Sequence, residues 1–224
     1  MSTLADYLAL AKANPAFFQN PSHEGIRILL DENEIREIEA QMEAKGLPFE
    51  QARVGIIYQD PYLRVIRDAV LFPDGKKGIY LRLIEPVDHA PGVIVLPVHQ
   101  GQILLLRHFR HATRSWHLEI PRGFGTKGFS DEENIRRELQ EEIGGTASRL
   151  ISLGQLYPNT GMTSECDQLF FAEVESYTDP EIGEAITDIL PTPLPEFERM
   201  IRDNEITDGF TLAAYTRAKL QGLL

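Results

Sequence analysis

The chain has 224 residues, 42% of them hydrophobic, and its 22 basic and 34 acidic side chains give a formal net charge of −12. That length allows one large domain, or one domain with a small appendage, around a full core. The negative field disfavours nucleic acid or an anionic membrane as partner. The longest apolar runs, residues 93–98 and 103–106, are far too short to span a bilayer, and no basic segment followed by an apolar stretch opens the sequence, which predicts a cytoplasmic protein. Cys166 is the single cysteine, so no internal disulfide forms and a small interior residue is expected there; the six histidines are scattered without ligand spacing.

In chain order, residues 3–13 and 32–45 read as helices, the second placing Ile35, Ile38 and Met42 on one face with Gly46 as its stop. From residue 53 the character changes to strands, at 54–58, 63–72 and 78–84, the last two joined by the turn Pro73-Asp74-Gly75. Strands at 93–98 and 102–109 flank His99-Gln100-Gly101, a hairpin signal. A short strand at 116–120 leads through Pro121 into a glycine-rich loop of Gly123, Gly125 and Gly128. A helix over 134–143 follows, with Ile135, Leu139 and Ile143 facing inward and Gly144-Gly145 ending it. Strands at 150–157 and 168–174 and helices at 196–202 and 210–220 complete the pattern.

On the helix over 134–143, Glu138, Glu141 and Glu142 stand at i, i+3 and i+4 and so project from one side. Three carboxylates held together repel one another unless a cation lies among them, and oxygen-only ligation suits Mg²⁺ or Mn²⁺. The plainer reading is a solvated acidic face laced to Arg136 and Arg137. The order of strand, glycine loop and acidic helix favours the metal platform.

That order resembles the Nudix hydrolases. Gly123, Arg137, Glu138, Leu139, Glu141, Glu142 and Gly144 fall in register with the family signature, whereas Phe129 stands where the family has its first Glu and Gly145 where it has an aliphatic residue. In the family that first Glu commonly pairs with the Arg of the Arg-Glu step, so Arg137 must find another partner, Glu133 or Glu141. Residues 105–110 and 118–123 look like the paired segments of the ADP-ribose and ADP-sugar pyrophosphatase branch. The fold implied is α/β: the Nudix α/β/α sandwich with a mixed sheet over residues 51–224, preceded by an N-terminal helical extension over 1–50. Strands within 51–90 would contribute to a homodimer.

The resemblance also implies a site. Its metal set is Glu138, Glu141, Glu142 and the backbone carbonyl of Arg122, holding Mg²⁺ or Mn²⁺. The family usually has Ala at that last position, so the Arg122 side chain points either away from the metals or toward a phosphate. Its substrate-binding set is Arg110, Glu119, Glu165 from the loop 157–165, and Tyr62, with Tyr58 as the other aromatic able to stack on adenine. Its catalytic set is Glu142 with Glu184 and Glu181 of the acidic loop 179–184, the last two being the candidates for the metal-proximal acid and the general base. The implied reaction is Mg²⁺-dependent hydrolysis of the diphosphate linkage of a nucleoside diphosphate sugar, ADP-ribose to AMP and ribose 5-phosphate. The alternatives are a Nudix hydrolase for another nucleotide (GDP-mannose, NADH or a dinucleoside polyphosphate) and a non-catalytic nucleotide-binding module, which Phe129 keeps open.

Overall fold

The computed structural model describes residues 3–84, 90–178 and 185–224, and the chain divides into two units, Met1–Val87 with Asn159–Glu165 and Asp88–Pro158 with Cys166–Leu224. In the first unit, Thr3 and Asp6 form a capping box that starts helix α1 (Leu4–Ala13), and Asp31 caps α2 (Glu32–Ala44) by accepting from the N–H groups of Asn33 and Glu34. The strands are β1 (Arg27–Leu29), β2 (Gly55–Gln59), β3 (Arg64–Leu71) and β4 (Lys77–Ile84), with a single helical turn, α3 (Phe49–Ala52), ahead of β2. Strand β3 pairs antiparallel with all three others. Ile35, Ile38 and Met42 of α2 and Tyr7 of α1 are buried with Ile66, Ala69 and Ile84 of the strands, as the 3.6-residue spacing in α2 requires. Strand β1, three residues long, carries no pattern that sequence reading can detect.

The second unit holds β5 (Ala90–His99), β6 (Gln102–Arg110), β7 (Ser115–Glu119), β8 (Arg122–Gly125), α4 (Asp131–Ile143), β9 (Thr146–Leu156), β10 (Asp167–Ser176), β11 (Ile186–Pro193), α5 (Leu194–Arg202) and α6 (Gly209–Leu220). Its mixed sheet runs β11-β6-β5-β10-β9, with β5 and β10 parallel and the other pairs antiparallel. Strands β5 and β6 pair only next to their turn, at Val98–Ile103 and His99–Gln102; beyond it β7 joins β6 and β8 joins β5 in the opened space. Because side chains alternate across a strand, Val93, Val95, Leu104 and Leu106 meet Ile135, Leu139 and Ile143 of α4 on one face. Ile94, Leu96, Ile103 and Leu105 meet Phe197 of α5 and Ala214 and Ala218 of α6 on the other. This is the sandwich of a mixed sheet between helices that the sequence leads one to expect.

In the second unit two segments differ from the sequence reading. Residues 122–125, expected as loop, extend as β8 because their backbone pairs with the first half of β5. Residues 186–193, expected as no element, form β11; Pro191 and Pro193 are tolerated because β11 is an edge strand bonded to β6 alone. Cys166, expected in the interior, is only partly buried. Among the described residues no helix is long and apolar enough to cross a membrane.

Candidate active site

Helix α4 is fixed at both ends before it meets the sheet. Ser130 and Glu133 form a capping box at its start, and Gly144 ends it in the left-handed region at φ 55°, where the absence of a side chain removes the steric cost. Glu133 is thereby committed to the Ser130 N–H at 2.7 Å. With Ile135, Leu139 and Ile143 turned into the core, Glu138 and Glu142 face β8. The backbone N–H of Arg122 donates to Glu142 Oε2 at 3.1 Å, and a Cβ on Gly123 would collide with the Glu138 carboxylate, so the glycine supplies the room in which that acid sits. Glu142 is 4% exposed. Burial pushes its carboxyl up to about 8; the Arg122 N–H opposes that rise and the neighbouring Glu138 adds to it.

Glu141 faces elsewhere. It accepts from the Arg137 guanidinium at 3.2 Å, while the same guanidinium donates to Thr126 Oγ1 at 2.7 Å and lies 5.6 Å from the centre of the Phe129 ring. Of the two acids within reach along the helix, Arg137 therefore pairs with Glu141. Among the described residues no three acid, histidine or cysteine side chains converge in a way that holds a metal ion. Glu138 and Glu142 form the acidic pair, with the β8 backbone beside them.

On the face of the sheet that carries α4, a second polar group gathers around Glu119, which is 1% exposed. Its carboxylate makes an ion pair with Arg110 and lies 3.1 Å from His108 Nδ1 and 3.3 Å from Arg122. Burial alone would push this carboxyl up; the His108 and Arg110 contacts and the charge of Arg122 outweigh it and hold the carboxyl below the usual range. Arg122 answers the question its sequence position raises. Its guanidinium reaches away from the Glu138–Glu142 pair to Asp208 at 2.8 Å and lies 4.6 Å over the Phe210 ring. Asp208 in turn caps α6 through the Thr211 N–H, and the Thr211 hydroxyl accepts from the Ile120 N–H at 3.2 Å, so α6 is tied to the segment between β7 and β8.

Arg110, Glu119, Arg122, Glu138 and Glu142 are thus brought together in the second unit. Tyr62, 70% exposed, and Glu165 belong to the first unit. Tyr62 follows a turn in which Asp60 accepts from the N–H groups of Tyr62 and Leu63 and from the Tyr58 hydroxyl. Glu181 and Glu184 lie outside the described residues. Sequence reading missed His108 and Asp208. The first was detectable as the residue two before Arg110 on the same strand face, and the second as an Asp directly before the helix-opening Gly209.

The donors fit a hard divalent ion: carboxylate oxygens beside strand backbone. A carboxylate-bearing helix capped onto a split mixed sheet, with an arginine-rich cluster beside it, suits the chemistry of phosphate esters or anhydrides. The model of the NUDIX domain matches residues 88–204, and the chain belongs to the Nudix family. It is a Nudix pyrophosphatase of the branch related to ADP-ribose and ADP-compound hydrolases, a family that generally uses divalent metals. The ADP-ribose pyrophosphatase of Bacillus subtilis (strain 168) is 28% identical over 172 residues, 75% of this chain and 91% of that protein. The ADP compounds hydrolase NudE of Escherichia coli (strain K12) is 31% identical over 85 residues, 38% of this chain and 45% of that one. A crystal structure of an ADP compounds hydrolase superposes with a TM-score of 0.65 at 22% identity, covering 77% of this chain and 95% of that chain, and shows the same fold.

Proposed function

We propose that this enzyme hydrolyses the diphosphate linkage of a nucleoside diphosphate sugar, ADP-ribose to AMP and ribose 5-phosphate, with Mg²⁺ or Mn²⁺, as a cytoplasmic homodimer. The observation that carries the reading is Glu142, a buried acid beside a second carboxylate, Glu138, with a backbone N–H as its neutralising contact. Such a pair is costly to fold unless something positive joins it. The relative from Bacillus subtilis, an ADP-ribose pyrophosphatase matched over most of its length, supports the substrate.

Glu138, Glu142 and the Arg122 carbonyl would hold a divalent ion, with Glu141 joining them once it leaves Arg137, and the ion would neutralise the diphosphate and lower the pKa of the attacking water. The chain's own residues do the rest. Arg110, anchored by Glu119, offers donors to an anionic phosphate oxygen, and the anchor spares the substrate the entropy of ordering that long side chain. Glu184 or Glu181 takes the proton of the attacking water. In the dimer formed through strands within 51–90, Tyr62 stacks on the base of the partner's substrate, and Glu165 is the further substrate contact. Among ADP compounds, the Escherichia coli relative favours a wider substrate range as the second reading.

The test is AMP release from ADP-ribose, ADP-glucose and NADH with Mg²⁺ or Mn²⁺, alongside the molar mass by light scattering. Preferred turnover of ADP-ribose by a dimer is expected. Failure to cleave any of the three, or a panel that adds GDP-mannose and a dinucleoside polyphosphate, would overturn the reading.

A further inference from the structure

Phe129, 49% exposed, lies against Arg137, whose guanidinium is 5.6 Å from the ring centre, and Arg137 in turn holds Glu141 at 3.2 Å. The ring offers the guanidinium only a face. A carboxylate carries a full charge and two acceptors, so the arginine spends its strong contact on Glu141. Thr126, which accepts from the other side of the guanidinium at 2.7 Å, keeps it in that position. The consequence is visible in the acid cluster, where Glu138 and Glu142 face β8 together and Glu141 does not join them.

We propose that Phe129 commits Arg137 to Glu141 and thereby withholds the third carboxylate from the divalent ions, so that this chain binds them more weakly than its three acids allow; the inference rests on the reading of Glu138, Glu141 and Glu142 as the metal set. A glutamate carboxyl carbon reaches about as far from its Cα as the centre of a phenylalanine ring, so an acid at position 129 would meet the same guanidinium and compete with Glu141 for it. Arg137 is 43% exposed and Glu141 48%, so the pair is a solvent-screened i,i+4 contact and its effect on affinity is modest.

The test is a Mn²⁺ titration, followed by the electron paramagnetic resonance signal of the free ion, on the wild-type chain, Phe129→Glu, Arg137→Gln and the double variant. Each single substitution is expected to tighten Mn²⁺ binding about twofold, the scale of one exposed i,i+4 pair, and the double variant to bind no tighter than Arg137→Gln alone. Both side chains are half exposed, and an unchanged melting temperature in the absence of metal confirms that each variant folds. The proposal is overturned if Arg137→Gln leaves the affinity unchanged or weakens it, as a purely supporting arginine would. It is equally overturned if Phe129→Glu tightens binding just as much with Arg137 removed, since added negative charge would then be the whole cause. A wild-type chain that takes up no Mn²⁺ even with nucleotide present removes the metal reading itself, an outcome distinct from both.

Discussion

Both units of this chain bury carboxylates, and Asp68 of the first and Glu142 of the second are treated differently. Asp68 of the first unit is 1% exposed and fully matched: the Tyr7 hydroxyl donates to one oxygen at 2.5 Å, and Arg82 donates to the other at 2.6 Å while also donating to the Phe17 carbonyl. Glu142 of the second unit is almost as buried but receives one backbone N–H and faces another acid. The first arrangement closes on itself and ties α1 and the backbone at Phe17 to β3 and β4. The second sets two carboxylates side by side, an arrangement that a divalent ion would favour. Burial is nearly equal in the two cases, so the partner's sign, and not burial, sets Glu142 apart from Asp68.

The largest effect expected from this contrast is that of Glu142→Gln, which keeps the acceptor for the Arg122 N–H and removes the charge. On the proposed function turnover should fall on the order of 10²–10³-fold, because the substitution would delete a metal ligand and the electrostatic stabilisation it supports. The metal-free variant should nevertheless melt higher than the wild-type chain at pH 8. The carboxyl is pushed up to about 8 in the folded chain, so the acid favours folding while protonated and this contribution is lost as pH rises from the unfolded value, about 4.5, through 8. Scanning calorimetry with and without Mg²⁺ checks both signs. A variant that is less active and also less stable at pH 8 without metal would place Glu142 with Asp68 as a structural acid.

Next in size is Arg82→Ala. It strands Asp68, and since Arg82 is itself 20% exposed the cost should fall near the lower end for a broken buried pair, about 3 kcal/mol in urea unfolding. A loss well under 1 kcal/mol would mean that water enters and solvates Asp68, and the contrast between a closed and an open acid would then lose its first half.

How far the sequence showed all this depended on the range of the interaction. Helix α4, its inward stripe and its glycine stop are set by neighbours three and four residues apart, so periodicity sufficed to place Glu138, Glu141 and Glu142 on one side. The division among them was hidden. Whether Glu141 turns to Arg137 or to its fellow acids depends on Thr126 and Phe129, which the glycine loop brings back against the helix. The direction of Arg122 was likewise illegible, because Asp208 lies 86 positions away and meets it only when α6 docks. Strand β11 escaped because two prolines argue against a strand until the sheet shows that it lies on an edge.

The smallest effect, and the one that isolates the first unit most cleanly, is the alkaline titration of Tyr7. Its hydroxyl is raised above the ordinary value of about 10, first by burial and then by the charge of Asp68 and the hydrogen bond donated to it. A group whose proton is held more tightly when folded contributes stability that is complete below the unfolded value and declines once pH exceeds it. Wild-type stability attributable to Tyr7 should therefore fall above pH 10 by about 1.4 kcal/mol per pH unit, while Tyr7→Phe, which has no proton to lose, escapes that decline. Near neutral pH the phenylalanine variant should be the weaker by about 1–2 kcal/mol, having lost a hydrogen bond to a charged acceptor. The two unfolding curves must then converge and cross as pH climbs beyond 10, all other titrating groups being common to both. Parallel curves would show that the hydroxyl ionises in place, and that the closed network around Asp68 is less sealed than its distances indicate.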